Sequence, residues 1–294
     1  MTEITVAALQ LPFAEDDEQG NIEAVAALVE QAAGEGAQIV LPPELFSGPY
    51  FCREEDEALF ALARPTLEHP SVIAMRKLAQ SLGVAIPTSF FERDGHHYYN
   101  TLAMIGPDGE LMGTYRKSHI PDGPGYEEKF YFRPGNDGFK VWDVFGTTIG
   151  VGVCWDQWYP EAARLMALAG ADLLLYPTAI GWDPADEPAE QQRQLDAWIT
   201  IQRAHGVANG LPVLVANRTG FEQSPADDSG IQFWGNSFVC GPQGEYLAQA
   251  DSDSEQILIA EVNLQRSESV RRIWPYLRDR RVDAYGDLTK RFRD

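Results

Sequence analysis

Apolar positions alternate along this chain between strand-like runs and helix-like stripes. Residues 4–11 form an apolar-rich run that predicts a strand. A helix is predicted over 21–34, where Ile22, Val25, Leu28 and Val29 share one face and Gly34 and Gly36 close the element. Residues 37–41 form a short apolar strand stopped by Pro42-Pro43, and a second helix over 71–82 ends at Gly83. Three strands are then predicted at 84–92, 97–105 and 111–116, separated by Asp94-Gly95 and Pro107-Asp108-Gly109 turns.

The second half repeats the rhythm. A strand at 147–153 precedes a helix at 160–169, with Pro160 suited to its first turn. A buried strand at 173–176 precedes a long helix at 187–209, where Leu195, Trp198, Ile201 and Ala204 keep helical spacing. Strands follow at 213–216, 233–240 and 257–262. The order β-α-β-α plus three strands, occurring twice, predicts two similar sheets with helices outside them in one α/β sandwich domain. No Ser/Gly-rich linker divides it, and the acidic patch 251–255 reads as a turn. Between the halves, 118–138 is rich in Gly, Pro and aromatic residues. A loop of that length inside a compact domain is usually functional.

Composition narrows the class. Of 294 residues, 44% are hydrophobic and 11% aromatic, enough for a large core. Lys and Arg number 23 against 44 Asp and Glu, a net charge of −21, which repels phosphate backbones and excludes nucleic acid as a partner. No run of about 18 apolar residues suggests a membrane span. The N-terminus has no basic region before an apolar stretch. Cys52, Cys154 and Cys240 lie far apart, without the spacing of a zinc site or disulfide framework. The expected location is cytoplasmic.

Three residues at predicted strand ends could carry chemistry. Cys154 follows Ile149-Gly150-Val151-Gly152-Val153 and precedes a helix, a setting expected to lower a thiol pKa and free the next backbone N–H, that of Trp155, for an oxyanion. Glu44 follows the strand ending at Leu41, where ligand sites of α/β sheets collect and where burial suits a carboxylate to proton transfer. Lys117 ends the strand at 111–116 and could neutralise a tetrahedral oxyanion. Each also has a plainer reading: a core thiol, a surface acid after a turn, a solvated strand-end lysine. Of the histidines 69, 96, 97, 119 and 205, none sits in a cysteine-protease signature, and His96 and His97, read as strand neighbours, would face opposite ways.

Taken together, Leu-Pro-Pro-Glu44-Leu-Phe, Tyr115-Arg116-Lys117-Ser118-His119 and Gly-Val-Cys154-Trp155-Asp156 occur in the order of the nitrilase superfamily's motifs, which the chain resembles over nearly its whole length. Two stretches, KSHIPDGPGYEEKFYF from Lys117 and CWDQWYPEAAR from Cys154, are similar to the N-carbamoylputrescine amidohydrolase branch, as is Leu277-Arg278-Asp279-Arg280-Arg281.

The resemblance implies a four-layer α-β-β-α sandwich over residues 1–294, with an extension from about 265 used in oligomer contacts. It implies Cys154 as nucleophile, Glu44 as base, Lys117 as oxyanion stabiliser and Glu128 as an assisting carboxylate, without metal or organic cofactor. The implied reaction is hydrolysis of N-carbamoylputrescine to putrescine, carbon dioxide and ammonia, in polyamine biosynthesis from agmatine, by a homo-oligomer.

The substrate tail is read from nearby residues. Relatives that take carbamoyl amino acids carry arginines soon after the catalytic cysteine, whereas this chain has Asp156-Gln157-Trp158-Tyr159. That favours a small cationic ureido substrate. Asp183, in the acidic stretch after the strand at 173–176, is the expected ammonium partner, and Tyr50 an expected pocket residue. The alternatives are a β-ureidopropionase-like enzyme, an aliphatic amidase, or a binding protein on the same fold.

Overall fold

The computed structural model describes residues 2–14, 17–224 and 229–293. The first half contains β1 (Glu3–Gln10), α1 (Glu18–Gly34), β2 (Ile39–Leu41), α2 (Pro70–Leu82), β3 (Ile86–Asp94), β4 (His97–Ile105) and β5 (Leu111–Arg116). A single-turn helix, α3 (Glu128–Tyr131), leads to β6 (Val141–Val144), β7 (Thr147–Val151), α4 (Pro160–Leu168), β8 (Leu173–Pro177), β9 (Gly181–Trp182) and α5 (Pro188–Asn209). The chain continues through β10 (Val213–Ala216), β11 (Thr219–Gln223), β12 (Gly230–Trp234), β13 (Phe238–Cys240), β14 (Tyr246–Gln249), β15 (Gln256–Asn263) and α6 (Leu264–Ile273).

Two six-stranded layers emerge. One sheet runs β14-β13-β10-β8-β7-β6. The other is built from β15-β1-β2 and β3-β4-β5, joined where Ala85 bridges Ile39 in parallel and exchanges hydrogen bonds with Gln38 and Val40.

Alternation along the strands explains the layering. Ile4, Val6 and Ala8 of β1, Leu173 and Leu175 of β8, and Leu214 and Ala216 of β10 share the core between the sheets. Ala7 and Leu9 instead pack under α1 and α2, while Leu174, Val213 and Val215 pack under α4 and α5. The result is the expected α-β-β-α sandwich.

Local signals set the boundaries. Asp17 accepts from Gly20 N at 2.8 Å and starts α1 three residues before the expected position. Pro70 opens α2, and Gly83, at φ +70°, ends it. No helix among the described residues is long and apolar enough to cross a membrane.

Several expectations need correction. The helix after Cys154 begins at Pro160 as expected, but the intervening Cys154–Trp158 forms a 3₁₀ turn that the sequence did not suggest. The expected strand at 233–240 is cut at Gly235 and Asn236, both with positive φ. Phe233 and Trp234 therefore end β12 in a small β11-β12-β9 sheet, while Phe238–Cys240 joins the large one. The β6–β7 hairpin turns at Phe145 and Gly146, and phenylalanine gives no sequence hint of its φ of +52°. His96 sits in the β3–β4 turn, outside either strand.

Candidate active site

The chain ends of β2, β5 and β7 meet at one place. After β2, Pro42 and Pro43 cannot continue a ladder. Glu44 is fully buried there, and its backbone N–H donates to Thr178 O, just beyond β8, at 3.3 Å. Leu45 then reverses the chain with φ +50°. Lys117 is equally buried at the end of β5. Gly135 recrosses that end, its N–H donating to Lys117 O at 2.8 Å. Any Cβ on Gly135 would lie 2.1 Å from the Arg116 carbonyl, so only glycine permits the crossing.

Lys117 Nζ donates to Glu44 Oε1 at 2.9 Å and to Glu128 Oε2 at 2.7 Å. Glu128 opens α3 and is fully buried. Tyr50, also buried, donates its hydroxyl to Glu128 Oε1 at 2.6 Å, and Asn100 Nδ2 donates to Glu44 Oε1 at 2.6 Å. Glu44 Oε2 is buried without a hydrogen-bond partner in this structure. Cys154 sits beside this cluster with φ +43°, a strained left-handed conformation typical of functional turns.

The electrostatics correct one expectation. Burial pushes the Cys154 thiol well above its ordinary range, and Glu44 and Glu128 add to the rise while Lys117 opposes it. The short 3₁₀ turn supplies too little helix dipole to reverse this. Burial also raises Cys52, and carries Cys240 to about 12. Acidity therefore does not distinguish Cys154 from the other thiols; its place in the wall of a cavity does. Burial opposes the charge on Lys117, but Glu128 and Glu44 override it and keep the ammonium protonated. Two buried carboxylates share that one ammonium. Glu128 is pushed up to about 7, chiefly by burial, with Lys117 pulling it down and Glu44 raising it.

Cys154 and the half-buried Trp155 line a cavity of about 470 Å³. Its other walls include Tyr126, Trp158 and Trp234, together with Asp122, Glu190 and Arg193. A second cavity, about 430 Å³, lies behind the 45–54 loop and includes none of Glu44, Lys117 and Cys154. The chemistry places the site at the first.

Asp183 does not line that cavity. It is exposed, and its Oδ1 accepts from Ala185 N at 2.8 Å in the turn before α5. Gly181 of β9, two residues earlier, does line the cavity.

Two anchoring groups escaped the sequence reading. Asp156 is fully buried; it accepts from Val153 N, His119 N and the Tyr115 hydroxyl, tying the end of β5 to the Cys154 turn. Arg218 is also fully buried and reaches the loop after Glu44. Its one sequence signal was a cation two residues beyond the apolar strand β10. Among the described residues, no group of three or more His, Cys, Asp or Glu is arranged to hold a metal ion.

A buried thiol beside a buried carboxylate and a fixed ammonium, on an α-β-β-α sandwich, is the arrangement that cysteine hydrolase chemistry requires. The carbon-nitrogen hydrolase pattern matches residues 5–272, and the chain belongs to that family, hydrolases of non-peptide C–N bonds. It is 47% identical to an N-carbamoylputrescine amidase of Arabidopsis thaliana, over 96% of this chain and 94% of that protein. It is 44% identical to a citrullinase of Francisella tularensis subsp. tularensis, over 99% and 100% of the two chains. The crystal structure of a carbon-nitrogen hydrolase from Helicobacter pylori G27 superposes with a TM-score of 0.94 at 44% identity, covering 99% of this chain and all of that one.

Proposed function

We propose that this chain hydrolyses N-carbamoylputrescine to putrescine, carbon dioxide and ammonia, the ureido-cleaving step of polyamine formation from agmatine. The carrying observation is that the Cys154 cavity combines aromatic walls with two carboxylates, Asp122 and Glu190, the setting that holds an alkyl ammonium. The 47% identity to the Arabidopsis amidase supports the same reading.

In this reading the open oxygen of Glu44 takes the Cys154 proton as sulfur attacks the ureido carbon. Lys117 and the Trp155 backbone N–H hold the oxyanion. Glu44 returns the proton to the departing nitrogen. Water, deprotonated by Glu44, then attacks the thioester-like carbon and expels the thiol. Spontaneous breakdown of the carbamic acid balances the reaction as diamine, carbon dioxide and ammonia. Glu128, anchored by Tyr50, holds Lys117 in place. Glu44, Lys117 and Cys154 are thus the catalytic residues. Asp122 and Glu190 replace Asp183 as the proposed ammonium partners.

Arg193 favours a second substrate. It lines the same cavity, paired with Glu190 through Nε at 2.9 Å. Citrulline is N-carbamoylputrescine with one carboxylate added to the carbon bearing the ammonium, so both tails have the same reach. Arg193 supplies a cation for that carboxylate from α5, outside the arginine-free stretch following Cys154. The likeness to the Francisella citrullinase supports this reading.

Ammonia release from N-carbamoylputrescine, L-citrulline, N-carbamoyl-β-alanine and a neutral amide tests both. Turnover confined to the last two would overturn the assignment in favour of a β-ureidopropionase-like enzyme or an amidase. Loss of all turnover in Cys154→Ser is expected; retained turnover would remove Cys154 as the nucleophile, and no turnover of any of these compounds by the wild type would favour a binding protein.

We further read residues 1–294 as one hydrolase domain whose exposed apolar C-terminal extension joins copies of the chain into a homo-oligomer. Three unpaired cysteines suit a reducing, cytoplasmic location.

A further inference from the structure

We propose that Arg218 and Glu222 act as a positioning pair for the catalytic base, an inference that rests on reading Glu44 as the base for Cys154. Arg218 follows β10 and Glu222 lies in β11, so both come from the second half of the chain. The residues they hold come from the first. Arg218 Nη2 donates to Glu44 O at 2.6 Å and to Leu45 O at 3.2 Å, and Nη1 donates to Gly48 O at 3.2 Å. Nη1 also pairs with Glu222 Oε1 at 2.7 Å. The other oxygen, Glu222 Oε2, accepts from Tyr50 N at 2.6 Å and faces Arg53 Nη1 at 4.0 Å.

One ion pair therefore grips both ends of the 44–50 loop. At one end is Glu44. At the other is Tyr50, whose hydroxyl holds Glu128 and, through it, Lys117.

Physical constraints make this grip necessary. Leu45 has positive φ, which turns successive carbonyls inward where water cannot reach them. Buried carbonyls need donors. One planar guanidinium satisfies three of them at fixed angles, which the point charge of a lysine cannot reproduce. Phe13 and Phe233 flank the guanidinium, with its carbon 4.6 and 5.2 Å from their ring centres, and keep it from swinging away. Neither Arg218 nor Glu222 lines the Cys154 cavity. Their effect passes through the loop, so both are positioning residues.

Iodoacetamide alkylation of Cys154, followed against pH, tests this without assuming a substrate. Glu44→Gln is the reference and is expected to abolish turnover and to move the profile downward, because the Glu44 carboxylate raises the thiol. Arg218→Lys is expected to move the profile the same way, with kcat reduced about 100-fold and KM changed less than threefold. Arg218→Met/Glu222→Leu replaces the buried pair with apolar side chains, a change that commonly preserves folding. It is expected to retain the fold by circular dichroism while leaving kcat low.

A wild-type profile and kcat in that double variant, or in a folded Arg218→Lys, would overturn the positioning role. An unshifted profile in Glu44→Gln would instead remove the base assignment beneath it.

Discussion

Tyr115 donates its hydroxyl to Asp156 Oδ2 at 2.7 Å, linking the strand that ends in Lys117 to the turn that presents Cys154. The same oxygen accepts from Val153 N at 3.0 Å, and Oδ1 accepts from His119 N at 3.0 Å. Ammonium and sulfur are thus held in register by one carboxylate that touches neither. Tyr115→Phe removes a buried donor to a charged group, and the expected cost is about 1–3 kcal/mol by urea denaturation. The kinetic loss should fall on kcat, with KM little changed. An unaltered kcat would show that the link only stabilises.

Cys154 should behave as a protonated thiol until a base is aligned with it. Because burial and two carboxylates push it upward, its alkylation rate should keep rising beyond the range where an ordinary cysteine of pKa about 8.5 levels off. It should still react ahead of Cys52 and Cys240, which are wholly enclosed. Mass spectrometry of the labelled peptides checks both points.

Glu128 gives a pH-dependent stability. Its folded pKa of about 7 exceeds the usual 4.5, so its contribution is fully present below about pH 4.5 and is lost as pH rises through 7. A shift of that size corresponds to about 3 kcal/mol. The stability difference between wild type and Glu128→Gln should therefore be largest near pH 5 and shrink by pH 8. Urea titrations at the two pH values measure it, and a constant difference would contradict the raised carboxylate.

The tail site can be tested by charge removal. Asp122→Asn and Glu190→Gln should each raise KM for N-carbamoylputrescine about three- to tenfold, the modest value expected of exposed carboxylates. Asp183→Ala should leave KM within about twofold, since surface changes away from a site have small effects. Arg193→Gln should lower kcat/KM for citrulline relative to N-carbamoylputrescine by about tenfold, the worth of one charge-assisted contact. A ratio that does not move would remove the second substrate.

The C-terminal segment leaves large apolar side chains in water, with Trp274 54% and Phe292 81% exposed. Deleting residues 274–294 should reduce the number of chains per particle measured by light scattering. An unchanged number would place any copy-to-copy contact elsewhere.

Much of the architecture was legible because strand alternation and helical stripes both point toward the core. β4 and β5 fall at their expected limits since turn residues flank them. That Glu44, Lys117 and Cys154 come together was legible from three short motifs in order. Other features depend on contacts between distant segments. Nothing local to Asp183 reveals that its carboxylate turns to its own loop, and nothing after Cys154 announces that Arg193 approaches from α5. The thiol's rise was hidden too, because burial among Glu44 and Glu128 is a tertiary property. Asp156 stood within a quoted motif, but its bond to Tyr115 spans 41 residues.

Glu44 and Lys117 stand on one sheet and Cys154 on the other, with the core packed between them. On the proposed mechanism, the first half alone would hold the base and the cation without the sulfur, and the second half alone the sulfur without its base. In that mechanism, proton transfer from Cys154 to Glu44 therefore waits on the docking of the two halves.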